Sequence, residues 1–173
     1  MPLRPGHCYR RFGTPPYTRE EYIRSIPPVQ IPKFELGNTK GVFEVELRLV
    51  TLRPGQIRAN ALEAARQQAN KYLERKVGSQ SYYMRIVTYP HHILRENKMI
   101  AAAGADRLQD GMRLSFGTPI GRAARVTVGQ TVILVRVNRN NVEHAKEALI
   151  RARSKLPLPC RIVISEEAEV KAS

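Results

Sequence analysis

Chemistry in this 173-residue chain would have to come from a handful of titratable side chains, and their spacing does not favour it. His7 beside Cys8 could be read as a base and a nucleophile. Neighbours in an extended segment point opposite ways, however, and no acid lies near to orient the imidazole. His91 and His92 have no further ligands at metal spacing, and the cysteines form no cluster that would supply them. Asp106 and Asp110 would share a face if their segment were helical, but Arg107 and Arg113 stand close by as partners. The glycines match neither the phosphate-loop nor the dinucleotide pattern, and no Gly-Lys-Ser/Thr occurs. No catalytic residue, metal ligand, cofactor or small-molecule substrate is assigned.

What does recur is positive charge. The 29 Lys and Arg against 15 Asp and Glu leave a net charge of +14. That excess costs self-repulsion unless a polyanion neutralises it. An anionic membrane would call for a basic amphipathic helix or a lipid anchor, and neither is evident. Apolar runs are too short to span a bilayer and the N-terminus is not signal-like, so no membrane partner is expected. Cys8 and Cys160 are too few for a disulfide framework, and the chain reads as reduced and cytoplasmic.

Two stretches concentrate the cations. In residues 1–37, Arg4, His7, Arg10, Arg11, Arg19 and Arg24 alternate with Tyr9, Phe12, Tyr17 and Tyr22. Charge for phosphates and rings for unpaired bases suit RNA, although the rings could equally pin the arm to its own domain. Seven prolines suppress helix and central strand here, so the arm is expected to be extended and mobile until RNA orders it. The second stretch, His91 to Arg125, carries Arg95, Lys98, Arg107, Arg113, Arg122 and Arg125 on a glycine-interrupted loop. Connections this long in compact domains usually bind something or lack order. Ala101 to Ala105 has almost no side chain, so its backbone can approach a crowded surface.

Regular elements must hold these stretches. Val42 to Val50 alternates apolar and polar, a half-buried strand with Glu44, Glu46 and Arg48 facing out and Arg53-Pro54-Gly55 ending it. A helix follows from about Ala61 to Val77. Asn60 would cap it with Glu63 reaching back, Leu62, Ala65, Ala69, Leu73 and Val77 would form its apolar stripe, and Gly78 would stop it. Tyr82 to Tyr89 reads as a strand. Arg122 to Val128 and Thr131 to Val137 read as a hairpin about Gly129-Gln130. Asn140 would cap a second helix with the stripe Val142, Ala145, Leu149 and Ala152. Pro157 and Pro159 break it, Arg161 to Ile164 is a short last strand, and the tail with Glu166, Glu167 and Glu169 is expected to fray. The fold class is α+β: a two-layer sandwich with one mixed, mostly antiparallel sheet and two main helices on one face. An arm (1–37), a sandwich domain (38–165) with an internal loop (90–121) and a tail (166–173) make up the chain.

Met1 to Arg11, Ala61 to Arg66 with Ala69-Asn70-Lys71-Tyr72, and Asn97-Lys98-Met99 followed by Ala103 to Gln109 and Gly111-Met112-Arg113 together resemble one family across nearly the whole chain. It is the archaeal and eukaryotic large-subunit ribosomal protein family L10e, counterpart of bacterial L16. The chain stops soon after Ile164, without the longer tail of the eukaryotic branch, which favours an archaeal source. The resemblance implies a structural protein of the large subunit in the cytoplasm. It implies contacts with large-subunit ribosomal RNA beneath the aminoacyl-tRNA path, with neighbouring ribosomal proteins, and with tRNA, and a late entry into assembly. The loop at about Ala101 to Leu114 would point towards the peptidyl transferase centre, with Ala103, Gly104, Ala105, Asp106, Arg107, Gln109, Gly111 and Arg113 facing tRNA. Arg4, His7, Tyr9, Arg10, Arg11, Arg19, Arg24, Lys71, Arg95, Lys98, Arg122, Arg125, Lys146 and Arg153 are expected to contact RNA. A free RNA-binding or RNA-processing factor would carry the same charge and is the alternative.

Overall fold

In a computed structural model, residues 4–11, 13, 15–23, 25–96 and 117–171 are described, the last six as backbone only. Their regular elements are β1 (Glu35–Gly37), β2 (Val42–Thr51), β3 (Gly55–Arg58), α1 (Ala59–Lys76), β4 (Tyr82–Ile86), β5 (His92–Glu96), β6 (Thr118–Val126), β7 (Thr131–Val137), α2 (Val142–Arg153) and β8 (Cys160–Lys171). The class is the expected one, α+β with two helices and antiparallel pairing throughout the described sheets. The expected single sheet is divided, however. Five strands run in the order β1-β4-β7-β2-β8, and three form a second sheet, β3-β6-β5.

Alternation along the central strands builds the main core. Val45, Leu47 and Leu49 of β2, Met84 and Ile86 of β4, and Ile133, Val135 and Val137 of β7 meet the helices. The stripe Leu62, Ala65, Ala69 and Leu73 of α1 faces Ala145, Ala148, Leu149 and Ala152 of α2 in the same core. Each large aliphatic chain here stabilises the fold by about 1.5–3 kcal/mol. The alanines bring the helix axes close to each other and to the sheet. Gly78 ends α1 as expected: at φ 88 its N–H donates to the Leu73 carbonyl at 3.2 Å.

The expected caps do not form. β3 runs directly into α1, which starts at Ala59, so Arg58 occupies the cap position and no side chain caps the helix. Asn60 lies two residues too late, and its Oδ1 is buried without a protein hydrogen-bond partner. Glu63 turns to Arg66 at 2.6 Å and Gln67 at 2.8 Å, which hold its carboxyl below the usual range, Arg66 first. Ahead of α2 a 3-10 turn, Arg139–Asn141, places Asn141 and not Asn140 at the cap, again without a side-chain bond.

On β2, Glu46 faces away from the helices as read but is only 2% exposed. Arg48 and Arg136, the latter at 2.8 Å, fold over its carboxylate from the same face, and Arg136 lies 5.6 Å from the Tyr83 ring centroid. At the other end, the acidic residues Glu166, Glu167 and Glu169 lie within a strand, β8, that extends to Lys171. The β8 backbone pairs with β2 as far as Val42 opposite Lys171, because β2 is long enough to offer a partner over that whole length. The long connection also shrinks from both ends: β5 occupies 92–96, and β6 begins at Thr118 rather than Arg122.

The small sheet has two unlike faces. Ile57 pairs with Ala124, and with Val126 they join the main core. By register, Gln56, Arg58, Ala123, Arg125 and His92 lie on the other face. That face is covered by the N-terminal arm. Along it Ile23 and Ile31 are buried, and 3-10 turns form at Gly6–Tyr9 and Glu20–Tyr22.

Candidate nucleic-acid interface

Because prolines and turns leave the arm without a ladder of its own, its carbonyls must find donors elsewhere. The small sheet provides them. Gln56 donates its backbone N–H to the Arg10 carbonyl at 2.8 Å and its Nε2 to the Arg11 carbonyl at 2.7 Å. Arg58 donates to the Arg4 carbonyl at 3.1 Å, Arg122 to the Pro27 carbonyl at 2.8 Å and Arg125 to the Pro15 carbonyl at 3.3 Å. Tyr17 is held from both sides, its N–H donating to His92 Nδ1 at 2.8 Å and its carbonyl accepting from Ile93 N–H at 3.0 Å. At Gly55 an added Cβ would come within 2.9 Å of the Arg10 carbonyl and 2.7 Å of Leu158, so only glycine lets the arm lie this close.

This docking sorts the candidate residues into two sets. Arg4 pairs with Glu96 at 2.7 Å, and Glu96 also accepts from the Tyr9 hydroxyl at 3.3 Å. Burial, then the Glu96 charge, raises the Tyr9 hydroxyl above its ordinary pKa. Arg58 lies over the Tyr9 ring and Arg95 over the Tyr17 ring, at 5.3 and 3.9 Å. Arg122 is paired with Glu20 at 3.0 Å. Arg4, Tyr9, Arg95, Arg122 and Arg125 thus fasten the arm to the sheet, and the bland role weighed for the rings is the one Tyr9 and Tyr17 fill. The second set points outward. His7, Arg10, Arg11 and Arg19 are exposed, and among the described residues no ion pair engages the three arginines. Gln56 fixes the backbones of Arg10 and Arg11 while their guanidinium groups stay in water.

On the helices, Lys71 and Arg153 are exposed and without an acid partner, whereas Lys146 is paired with Glu143 at 2.7 Å. Arg24 and Lys98 lie outside the described residues, as do Ala103, Gly104, Ala105, Asp106, Arg107, Gln109, Gly111 and Arg113. Sequence reasoning missed Gln56 and Arg58, the two residues of β3 that hold the arm. A four-residue strand directly after Arg53-Pro54 carries too short a pattern to be seen. Arg75 and Arg151 were also missed; the signal was there, in Lys71 and Arg75 one turn apart beside Tyr72.

Nothing in this arrangement assembles an acid–base pair. His7 and Cys8 lie exposed in a 3-10 turn, not in a strand. Burial, then the charges of Arg125 and Arg95, press the His92 pKa down to about 4, and its Nδ1 is committed as an acceptor. Cys160 is buried, which pushes its thiol up. Among the described residues no three His, Cys, Asp or Glu gather as metal ligands, and no described helix is long and apolar enough to cross a membrane. Backbone-fixed cations on a small α+β body suit the class of basic proteins that hold polyanions.

Comparison with known proteins makes the class specific. Residues 12–163 match the model of the family described as ribosomal protein L16p/L10e. The chain is 70% identical to the large ribosomal subunit protein uL16 of Thermofilum pendens over 166 residues, covering 96% of this chain and 99% of that protein. It is 63% identical to the protein of the same name from Staphylothermus marinus, covering 94% of each. With that of Pyrobaculum neutrophilum it shares 55% identity over 98% of this chain and 95% of the relative. The chain belongs to the L16p/L10e family, as a large-subunit ribosomal protein of the archaeal kind.

Proposed function

We propose that this chain holds large-subunit ribosomal RNA in the cytoplasmic ribosome, near the aminoacyl-tRNA path, and contacts neighbouring ribosomal proteins there. Its internal loop, at about Ala101 to Leu114, lies towards the peptidyl transferase centre. In this reading it supports tRNA positioning and late subunit assembly, and it catalyses nothing itself. The observation that carries the reading is the outward row Arg10, Arg11 and Arg19. The Arg10 and Arg11 carbonyls are bonded to Gln56 of the small sheet, the Arg19 carbonyl closes a 3-10 turn with Tyr22, and the three charges are unmatched by acids, so phosphates can be met without ordering the main chain first. The names of the relatives support the ribosomal setting.

Two measurements test it. Affinity for large-subunit RNA should fall roughly a thousandfold or more between about 50 and 200 mM salt for six to ten phosphate contacts. A nearly flat dependence would remove the electrostatic basis. The second replaces Ala101 to Leu114 by a short Gly-Ser linker. The free protein should stay folded, since closure entropy changes by only about 0.6 kcal/mol per doubling of loop length. Subunits should still take it up, with peptide-bond formation on full-length tRNAs impaired. Full activity at full occupancy would show the loop to be an ordinary connection. Sedimentation at high salt separates this reading from a free RNA-processing factor, which would leave the large particle.

A further inference from the structure

The flanks of α1 carry different chemistry. Glu63, Asn70 and Glu74 lie on one side, tied to Arg66, Gln67 and one another. On the side facing α2 are Gln68, Lys71, Tyr72 and Arg75, spaced to share a face, and no acid of α1 stands among them. There they line an open notch of about 190 Å³ together with Arg151 of α2. Arg151 is held in place twice, by Glu147 at 2.8 Å and by the Tyr72 ring, 4.2 Å beneath its guanidinium. Lys71 and Arg75 have no such balance: they are like charges one turn apart, an arrangement that destabilises a helix by itself. Elsewhere on the two helices Arg66 and Lys146 are matched, by Glu63 and Glu143, and the cations without an acid partner among the described residues, Lys76 and Arg153, stand at the helix ends.

Resting on the reading that this protein binds ribosomal RNA, we infer that the notch is a docking site for backbone phosphates of that RNA. One or two phosphate groups sit between Lys71, Arg75 and Arg151, with the Gln68 amide as a further donor. Phosphate chemistry fits because the lining offers charge and donors without a carboxylate of its own. It is also a small concave opening in which cations from two helices converge, and phosphate oxygens would relieve the Lys71–Arg75 repulsion.

The test compares two double variants of the full chain that remove equal charge. One is Lys71→Gln with Arg75→Gln. The other is Lys33→Gln with Lys40→Gln, at exposed lysines away from the notch. Both are titrated against large-subunit ribosomal RNA over a salt series, beside the unaltered protein. The notch variant should lose about tenfold or more in affinity beyond the control, and its log–log salt slope should shrink by about one to two. Its thermal midpoint, measured free of RNA, should not fall. Equal losses in the two variants, with the unaltered protein binding normally, would overturn the notch and leave the RNA reading standing. Failure of the unaltered protein to bind would overturn both. Normal RNA binding with lost occupancy on the subunit would make an acidic protein neighbour the occupant, against RNA.

Discussion

The two sheets are covered by different means. The five-stranded sheet is closed by α1 and α2, whose stripes interlock with Val45, Leu47 and Leu49 in an apolar layer. The outer face of the three-stranded sheet is closed by an arm almost without regular structure, fastened through carbonyls, rings and ion pairs. An apolar layer needs only area and shape, so it tolerates approximate partners. A cover made of directional bonds needs each donor opposite its acceptor, and every unmade bond leaves a polar group dry. The first region should therefore unfold as one unit with the protein, and the second should open locally at lower cost.

The sharpest way to break that contrast is a core truncation. Leu149→Ala, fully buried between helix and sheet, should cost about 2–5 kcal/mol in chemical denaturation and lower the stability of both regions together. Loss confined to one region would show that the two are separate folding units. Mild acid should act first on the arm. The His92 pKa near 4 lies below its ordinary 6.5, so the imidazole takes up a proton more readily with the arm undocked than docked. Docking is at full strength above about pH 6.5 and weakens as the pH falls towards about 4, by up to a few kcal/mol. Amide protection at Tyr17 and Ile93, corrected for intrinsic exchange, should fall over that window while Leu47 stays protected. A His92 signal titrating near 6.5 with the arm docked would contradict it.

Gly55→Ala should release the arm by overpacking, at about 1–3 kcal/mol, seen as rapid proteolysis near Arg10 and Arg11. An arm still resistant would mean the close approach there is easily relaxed. The smallest effect belongs to the exposed pair: Arg4→Ala should cost at most about 1 kcal/mol, measurable as faster exchange at the arm only. A larger loss would make the Arg4–Glu96 pair a principal anchor.

Legibility followed the same division. The stripes of both helices, the β2 alternation, the Gly129 turn and the Gly78 stop appear where the sequence has them. The hairpin expected about Gly129 does not form, because its turn carries the chain from one sheet to the other and β6 and β7 pair with different strands. β3 and β5 span four and five residues, too few to show a period, and they are defined by pairing with β6 instead. The caps misled because Asn60 and Asn140 have suitable side chains in positions that β3 and a 3-10 turn displace by one or two residues. Charged residues from Glu166 onward suggested fraying, yet a strand added by backbone pairing asks little of its side chains. The site was half legible. Residue types announced arginines and rings, but only geometry tells Arg4 and Arg122, which hold the arm, from Arg10 and Arg11, which it displays.

The arm's fastenings are also far away along the chain. Arg4 meets Glu96 across 92 positions, Tyr17 meets His92 across 75, and Pro15 meets Arg125 across 110. During synthesis the N-terminus emerges first, yet it cannot complete its fastenings until β5 and β6 have followed β3. The earliest segment made thus settles only after most of the chain has followed it. In that interval its prolines keep it from folding on itself, and all its cations, the later anchors included, stand open to solvent.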